Sequence, residues 1–336
     1  MEESNRGMLW AAAGAAFGFW AVRRMMRTRY SFADRICIIT GGSRGLGLIM
    51  GRQLAEQGAH VVLLARDGDE LRRARSQLSA GDHMTIACDV TDEQAVMSAV
   101  RLVVDAYGRI DVLINNAGRI QVGPIEHMTV TDFDDAIDVH MKGPLHTILA
   151  VTPTMRQQGE GRIVNVASIG GKVAFPHLLP YTASKHGLVG MSRGFGHELA
   201  RYGIRVTTVI PGLMRTGSPR NAMFKGRHRR EHAWFALGDS LPLVSMDAER
   251  SARQILEAVR RGDASVTTTF KARLAAVFDT LFPDASAGAF NVVARLLPSS
   301  IPGTNGVQYS GHESQSALAP SFLTALGDRA AARNNE

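Results

Sequence analysis

The chain has 336 residues, of which 45% are hydrophobic and 21% charged, with 34 Gly and 12 Pro. This composition is typical of a globular protein and excludes collagen-like, repetitive and disordered chains. An α/β domain can extend to about 250 residues, so the length indicates one large domain with additions. Two cysteines, Cys37 and Cys88, lie in apolar runs and are too few for a disulfide framework or a cysteine-based metal site. We therefore expect a reducing compartment and no metal.

The net charge of +7 is partly concentrated at the amino-terminal end, where the first thirty residues contain five Arg and two Glu. The remaining excess is small and dispersed. A nucleic-acid-binding protein would show a basic stripe or a recognised binding module, so no nucleic-acid partner is predicted. The clustered charge favours a membrane surface instead.

Residues 7–22 form a charge-free apolar run that is followed by an Arg-rich stretch, 23–29. A helix of this length spans about 24 Å, short of the ~30 Å hydrocarbon core, which predicts a marginal membrane anchor over residues 1–30. The charges follow the run, unlike those of a signal peptide, and predict a membrane-associated protein whose remaining chain lies on the cytoplasmic side. The alternative is a tail helix packed on this protein or on a partner.

From Arg35 onward, continuous apolar runs alternate with amphipathic stretches. Such continuous runs are typical of parallel strands covered on both faces. We predict an α/β fold, a doubly wound parallel sheet of the Rossmann type with helices on both faces. The predicted strands are 35–40, 60–65, 83–88, 111–115, 162–168 and 205–210, and the predicted helices are 45–57, 67–79, 91–107, a long stretch to about 157, and 181–201.

The pattern changes after about Thr268, which predicts a main domain over 32–268 and a carboxyl-terminal helical extension with a polar tail over 269–336. Two helical stretches, 271–282 and 289–297, each carry an apolar stripe. The stripes comprise Leu274, Val277, Phe278 and Leu281, and then Phe290, Val293 and Leu297. Burial against the sheet domain is the favoured expectation, and contact with a bilayer surface is the alternative.

The first predicted strand leads directly into a helix through the stretch Thr40-Gly41-Gly42-Ser43-Arg44-Gly45-Leu46-Gly47. Glycines in this position permit a tight turn and let backbone N–H groups approach a pyrophosphate at the positive end of the helix. The stretch therefore predicts a dinucleotide site.

The end of the second strand indicates which dinucleotide is bound. NAD-selective sites place an acid there for the ribose 2′-hydroxyl, but this chain reads Leu64-Ala65-Arg66. Arg44 and Arg66 would attract a 2′-phosphate, so NADP (NADPH) is the predicted cofactor. The alternative is that both arginines are solvated surface residues.

Further polar residues follow the later strands: Asn115-Asn116-Ala117-Gly118, then Ser168, then Pro211-Gly212. Tyr181 and Lys185 are four residues apart and share one face of a helix. A tyrosine with a pKa near ~10 is a poor acid at neutral pH, and a neighbouring ammonium lowers that pKa. The spacing thus makes sense for proton transfer.

Together these motifs resemble the short-chain dehydrogenase/reductase family, over residues 32–268. The resemblance implies a hydride transfer that interconverts a carbonyl and an alcohol. It implies that Tyr181 donates the proton to the carbonyl oxygen and that Ser168 orients this oxygen. Lys185 would bind the nicotinamide ribose while tuning Tyr181.

The resemblance also implies the cofactor contacts. These are the phosphate loop (Gly41, Ser43, Arg44, Leu46, Gly47, with Arg66 nearby), the adenine contacts (Asp89, Val90), the ribose wall (Asn116, Ala117, Gly118) and the carboxamide and phosphate side (Pro211, Gly212, Met214, Thr216). Each of these polar residues also has a purely structural alternative. Asn115 could simply tie strands together, and Asp89 could cap the helix that starts near Thr91. Relatives commonly form dimers through the helices preceding and containing Tyr181, so a homodimer is an open expectation.

One position departs from the family pattern, which places an Asn in the long helix before Ser168 to hold a water linked to the catalytic Lys. This chain has His140 there. His140 could hold the water, could relay protons with a pKa near ~6.5, or could be purely structural.

Basic and aromatic residues interleave over 223–235, where this family builds its substrate lid. The stretch is either a solvated basic helix face with core aromatics or a lid that touches anionic lipid or an acidic substrate, with Phe224 and Trp234 at the bilayer. The leading hypothesis is a membrane-associated, NADP-dependent oxidoreductase whose small-molecule substrate is an apolar carbonyl or alcohol that could be lipid-like. The alternative is a non-catalytic cofactor-binding scaffold or a redox-sensing interaction protein.

Overall fold

The fold is built on a sheet of seven parallel strands, in a computed structural model that describes residues 30–241, 245–301, 306–317, 319–321 and 324–336. Its order is β11-β7-β6-β4-β1-β2-β3, and the other strands form two small sheets. In chain order the strands are β1 (Ile36–Thr40), β2 (His60–Ala65), β3 (Met84–Ala87), β4 (Val112–Asn115), β5 (Gln121–Val122), β6 (Gly161–Val166), β7 (Ile204–Ile210), β8 (Met214–Arg215), β9 (Met223–Phe224), β10 (Met246–Asp247), β11 (Ser265–Thr267) and β12 (Tyr309–Ser310).

Helices cover both faces of this sheet, as predicted. They are α1 (Gly45–Ala55), α2 (Gly68–Arg75), α3 (Glu93–Tyr107), α4 (Val130–Ile137), α5 (Gly143–Gln158), α6 (Leu179–Leu199), α7 (His228–Ser240), α8 (Ala248–Arg261), α9 (Phe270–Leu281), α10 (Pro283–Leu296) and α11 (Ala325–Arg333). Residues Phe32–Glu336 form one compact unit.

The continuous apolar runs are explained by burial on both faces of the sheet. All five residues of β1 and all four of β4 are buried, because each strand lies between two others and under helices on either side. Ile38, Val62, Leu113 and Ile163 come from four neighbouring strands and belong to one core cluster. The parallel α/β prediction is therefore confirmed.

The site lies where the direction of winding reverses, between β1 and β4. The last residue of β1, Thr40, pairs in register with Asn115, and Asn115 pairs with Asn165 of β6. In open α/β sheets, ligands bind in the crevice beyond the carboxyl ends of the strands at such a switch point. The loops after β1, β4 and β6 therefore face one crevice.

Four elements differ from the prediction. A π-helical turn at Asp138–Lys142 separates α4 from α5, where one long helix was expected. The edge strand β11 has only three residues, too few to produce a recognisable apolar run, and it was missed together with α8 before it. The tail predicted as polar contains helix α11.

The carboxyl-terminal helices α9 and α10 are present, but the predicted stripe of α9 is not buried against the sheet domain. Leu274 and Leu281 are 57% and 64% exposed. Ala272 is instead the residue of α9 that is buried, in a small cluster with Ile169 and Val173. The favoured expectation was therefore wrong for the first stripe, because α9 packs through Ala272 and leaves its large residues outside. In the second stripe, Phe290 of α10 packs against the small cluster.

The apolar run 7–22 and the predicted anchor over residues 1–30 lie outside the described residues, apart from Tyr30. Within the described part of the chain, no helix combines the length and the apolar character needed to cross a membrane.

Candidate active site

A cavity of about 1120 Å³ opens at the carboxyl ends of the strands. Its lining includes every residue predicted for the cofactor and the reaction except Gly47. The structure therefore brings together residues that are more than 170 positions apart in the chain, from Gly41 to Thr216.

Glycines in the loop before α1 allow close backbone packing. Gly41 has a φ of +61°, and a β-carbon there would lie 2.8 Å from the Cα of Ala117. A β-carbon at Gly47 would clash with the carbonyl oxygen of Gly41. Gly47 is not among the residues that line the cavity, and its lack of a side chain permits the close packing of α1 on the loop. Leu46 lines the cavity at the start of α1.

The wall formed by the loop after β4 is tied to the end of β1. The side-chain amide of Asn116 donates to the carbonyl oxygens of Thr40 and Gly41, at 3.2 and 3.0 Å. The hydroxyl of Thr40 accepts the N–H groups of Asn116 and Ala117. Asn115 donates to Asn165 of β6 at 2.9 Å, so it ties two strands together, as the structural alternative held.

The basic residues expected to hold a 2′-phosphate differ in their surroundings. Arg66 is exposed at the end of β2 and lines the cavity. Arg44 donates to Glu70 at 3.0 Å and to Asn221 at 2.9 Å. The hydroxyl of Ser43 also donates to Glu70. Glu70 therefore engages two predicted cofactor residues, and the sequence reading missed it because it lies inside α2.

At the adenine end of the cavity, Asp89 and Val90 both contribute to the lining. The carboxylate of Asp89 accepts the N–H and hydroxyl of Thr91, which forms a tight local turn. It does not cap the following helix, since that cap is Asp92 at the start of α3.

The loop after β7 lines the opposite side of the cavity. The carbonyl oxygen of Pro211 accepts the N–H of Ile169, which joins this loop to the loop that carries Ser168. A β-carbon at Gly212 would lie 2.7 Å from the hydroxyl of Thr269, so glycine permits the close approach of the segment before α9. Met214 and Thr216 continue the lining.

Ser168 and Tyr181 approach each other beside Gly170, which has no side chain. A β-carbon at Gly170 would lie 3.1 Å from the Tyr181 ring and 3.5 Å from the Ser168 hydroxyl. The Ser168 hydroxyl accepts the N–H of Gly170 at 3.0 Å, which fixes its orientation. Burial raises the pKa of Tyr181, and its hydrogen bond with Ser168 lowers the pKa in opposition.

Lys185 lies one helical turn after Tyr181, with its Nζ 5.7 Å from the centre of the tyrosine ring. The Nζ donates to the carbonyl oxygen of Val166 at the end of β6, at 2.9 Å. Burial lowers the pKa of Lys185 to about 7. We expected Lys185 to lower the pKa of Tyr181, but burial of the phenol is the largest influence on that pKa and raises it.

His140 lies in the π-helical turn, fully buried, with its ring edge-on to that of Tyr181 at 5.4 Å between ring centres. Its Nε2 accepts the N–H of Arg119 at 3.1 Å. Its Nδ1 lies 2.7 Å from the hydroxyl of Ser184, and that hydroxyl donates to the carbonyl oxygen of Tyr181 at 2.9 Å. Because Ser184 uses its proton on the carbonyl, Nδ1 carries the imidazole proton.

Both ring nitrogens of His140 are therefore used within the protein. Burial, and secondarily the charge of Lys185, hold the pKa of His140 well below its usual value, so the ring stays neutral at neutral pH. This geometry favours the structural alternative for His140 over proton relay or a water held by a ring nitrogen.

The segment predicted as a lid contributes some residues to the core and others to the cavity lining. Phe224 and Phe235 are buried in a small core cluster, and Lys225 forms a buried ion pair with Asp132 at 2.6 Å. Trp234 lines the cavity, while Arg229 and Arg230 are exposed. Phe224 therefore cannot touch a bilayer, and the solvated-face interpretation fits most of this segment.

Sequence reasoning missed one further contributor, the end of the described chain. Glu336 lines the cavity beside Arg44, at 3.7 Å between Nε and Oε2. Asn221 donates to the same carboxylate. No local pattern could have placed this residue, because nearly 300 positions separate it from the glycine loop.

Comparisons with known proteins agree with this geometry. The short chain dehydrogenase family profile matches residues 35–224. Levodione reductase of Leifsonia aquatica is 36% identical over 197 residues, which cover 57% of this chain and 74% of that protein.

Two solved structures extend the likeness. A short-chain dehydrogenase from Streptomyces avermitilis superimposes with a TM-score of 0.68 at 28% identity, over 79% of this chain and 99% of that one. A metagenomic short-chain oxidoreductase in complex with NADP gives 0.56 at 29% identity, over 71% and 98%. The chain belongs to the short-chain dehydrogenase/reductase family and is an oxidoreductase that acts on CH–OH and C=O groups of small molecules.

Proposed function

We propose that this protein is an NADP-dependent reductase that interconverts a carbonyl and an alcohol on an apolar substrate. The observation that carries the proposal is the Ser168–Tyr181 pair at a cavity whose lining also contains Trp234 and Val293. Polar groups at one point of an apolar pocket fix the orientation of a ligand whose remaining surface is apolar.

The cavity fits a nicotinamide dinucleotide. The side chain of the N-cap residue Arg44 makes no capping hydrogen bond to the first turn of α1, and the positive dipole end of this helix attracts an anion. Arg66 lies at the rim beyond β2, where the neighbouring Ala65 supplies no carboxylate. These two features support a dinucleotide and, within that class, the one with a 2′-phosphate. The neighbour in complex with NADP supports the same choice.

When bound, NADPH supplies the hydride. Ser168 would hold the substrate oxygen by a hydrogen bond, and the Tyr181 hydroxyl would deliver a proton to that oxygen. The raised pKa of Tyr181 keeps the phenol protonated at neutral pH, which suits reduction of a carbonyl. Lys185 has a pKa of about 7, so its amine can be protonated or neutral near neutral pH. The protonated form would place a positive charge near the ribose and the phenol.

The apolar class of substrate is supported by the carboxyl-terminal helices. Val293 of α10 and Leu297 after it line the cavity, and Phe290 packs edge-on against Phe175, with 5.3 Å between ring centres. On their outer sides α9 and α10 expose large apolar residues, among them Phe270 at 77%. The same two helices thus carry both exposed and cavity-lining apolar residues, which supports a substrate of low solubility.

The alternative of a scaffold or redox-sensing protein has less support. Burial raises the pKa of the Cys37 thiol, and it raises that of Cys88 to about 11. Redox-sensing cysteines need the thiolate form, which these two thiols do not adopt at neutral pH. A pure cofactor binder also has no need for Ser168 and Tyr181 in hydrogen-bond contact.

The decisive experiment is NADPH oxidation by the purified full chain, with a panel of ketones and aldehydes that spans small polar to long-chain and polycyclic compounds. We expect turnover that favours the apolar members. Tight NADPH binding with no turnover of any member would instead support the scaffold.

Association with a membrane surface remains part of this proposal. Its support is the sequence of residues 7–29 and the exposed apolar residues of α9 and α10. The test is co-sedimentation of the full chain with vesicles that contain anionic lipid, against a form without residues 1–30. We expect the full chain to pellet and the shortened form to bind less; equal recovery in the supernatant would exclude the membrane role.

A further inference from the structure

Residues 334–336 lie across the glycine loop. The carbonyl oxygen of Asn334 accepts the N–H of Gly45, the first residue of α1, at 2.9 Å. The side-chain amide of Asn335 donates to the carbonyl oxygen of Ser43 at 2.8 Å. Two backbone groups of the predicted phosphate loop are therefore already bonded to this segment.

Glu336 extends from this segment into the cavity. A β-carbon at Gly45 would lie 2.6 Å from its Oε1, so the carboxylate touches the backbone at the start of α1. Asn221 donates to its Oε2, and the Arg44 guanidinium lies 3.7 Å away. The side chain is only 6% exposed. A carboxylate thus occupies the positive end of α1.

The start of a helix attracts anions because its first N–H groups are unpaired and its dipole end is positive. A dinucleotide diphosphate would use the same N–H groups at this point in a βα unit. The Glu336 carboxylate and the diphosphate have like charge and the same preferred neighbours, so they cannot both lie against α1.

We propose that residues 334–336 are a built-in competitor for the diphosphate of the nicotinamide cofactor, with Glu336 as the residue that sets cofactor affinity. The inference rests on the proposed use of a nicotinamide dinucleotide by this cavity. It does not depend on the 2′-phosphate, because NAD and NADP share the diphosphate.

The competitor is built to be displaced rather than to close the site permanently. Burial raises the pKa of Glu336 to about 7 against the effects of Arg44, Asn221 and Arg220, with Glu70 adding to the increase. Asp239, which also lines the cavity, has its pKa raised to about 8 by burial and by Glu336. The Glu336 carboxyl therefore carries only partial charge near neutral pH, whereas a diphosphate is fully ionised.

Displacement needs only a local movement. Helix α11 is held against the loop before β9, where Gly217 packs closely on Ala331. Beyond the helix, the backbone N–H groups of Asn334 and Glu336 bond to the last turn of α11. Side chains add further bonds, because Arg52 donates to Asn334 and Arg73 donates to Asn335. These polar contacts can exchange for water while α11 stays in place.

Cofactor affinity of the full chain tests the proposal directly. Dissociation constants for NADPH and for NADH are measured by fluorescence titration for the unmodified protein, Glu336→Ala and Glu336→Gln. The matched control is Glu126→Gln, which makes the same change of charge at an exposed position that does not line the cavity. We expect three- to tenfold tighter binding of both cofactors by Glu336→Ala, a smaller gain for Glu336→Gln and no change for the control.

Unchanged or weaker binding by Glu336→Ala would overturn the proposal, since Glu336 would then be neutral or a cofactor ligand. A gain confined to NADPH would also overturn it, because the competition would concern the 2′-phosphate. A protein that prefers NADH but responds to Glu336→Ala would refute the cofactor choice alone.

Hydrogen–deuterium exchange of the unmodified protein supplies an independent readout. Without cofactor, the N–H groups of Asn334 and Glu336 bond to the carbonyl oxygens of Ala330 and Ala331. Saturating NADPH should speed exchange in residues 331–336 while slowing it in the glycine loop, residues 41–47. Equal or greater protection of 331–336 with NADPH would contradict displacement.

Discussion

The Nδ1 atom of His140 lies 2.7 Å from the hydroxyl of Ser184, and that hydroxyl donates to the backbone of Tyr181. A buried imidazole in the π-helical turn is thereby joined to the helix turn that carries the proton donor. The N–H of Arg119 occupies its other nitrogen. We therefore expect His140 to be a positioning residue, which holds Tyr181 through Ser184 and the ring contact.

Replacing His140 by Asn should preserve substantial activity and leave the pH–rate profile nearly unchanged. An amide can still accept from Arg119 and donate to Ser184, and the native imidazole does not titrate near neutral pH. The measurement is kcat/KM from pH 5.5 to 9 for both proteins. Loss of a limb near neutral pH in the variant would show that His140 relays protons.

Stability should fall as the pH is lowered, and His140 should cause part of the fall. Its folded pKa is well below the usual 6.5, so below about pH 6.5 the unfolded chain binds a proton that the folded chain does not. That difference makes stability rise with pH by up to about 1.4 kcal/mol per unit for this group.

Urea unfolding at pH 7, 6 and 5 measures this effect, with His140→Asn compared against His197→Asn at an exposed position. The His140 variant should show the shallower pH dependence. Equal slopes in both variants would place the pH dependence elsewhere.

The sequence predicted the sheet better than it predicted the edges. Burial on both faces made the apolar runs of β1, β2 and β4 continuous, so their positions were readable to within a residue or two. The three residues of β11 pair with β7, but they form no apolar run that would distinguish them from a loop in the sequence. Exposure of the α9 stripe could not be read from its period, since helical spacing shows which residues share a face and not what covers them.

The candidate site was predicted where it depends on local motifs. Ser168, Tyr181 and the glycine loop sit on strand ends and helix starts whose order the chain displays. Glu70 and Glu336 were missed because their proximity to Arg44 arises only from the packing of α2 and of the last residues onto the loop. The sequence alone could not decide between the three roles considered for His140 either, because the decision depends on the distances from its ring nitrogens to Arg119 and Ser184.

NADPH should be preferred over NADH by more than tenfold, which corresponds to only about 1.4 kcal/mol. One or two charge-assisted bonds from Arg66 and Arg44 can supply that difference, although Arg44 must first exchange its contact with Glu70. Dissociation constants for both cofactors measure the preference. The double change Arg44→Ala and Arg66→Ala should erase it, whereas Arg101→Ala on exposed α3 should not; equal use of both cofactors by the unmodified protein would refute the assignment.

Straight-chain ketones should be reduced with a kcat/KM that rises with chain length. Each additional buried methylene adds up to ~0.8 kcal/mol, or about fourfold, until the apolar wall is filled. Val293→Asp should flatten this dependence because Val293 lines the cavity, while Val292→Asp, at the preceding residue outside the cavity lining, should leave it intact. Efficiency that stays flat or falls with length in the unmodified protein would contradict an apolar substrate.

Single-turnover hydride transfer by Tyr181→Phe is the most direct test of the proposed chemistry. The variant keeps the ring between His140 and Lys185 but removes the hydroxyl, and positioned proton transfer contributes about 10²–10⁴-fold to a rate. We measure NADPH affinity by fluorescence titration and the hydride step by stopped-flow absorbance, with Tyr202→Phe, a tyrosine that does not line the cavity, as the control. NADPH affinity within about twofold of the unmodified protein, together with a hydride step slowed at least 100-fold, is the predicted result; an unchanged hydride rate, or loss of NADPH binding, would contradict the role of Tyr181 as the proton donor.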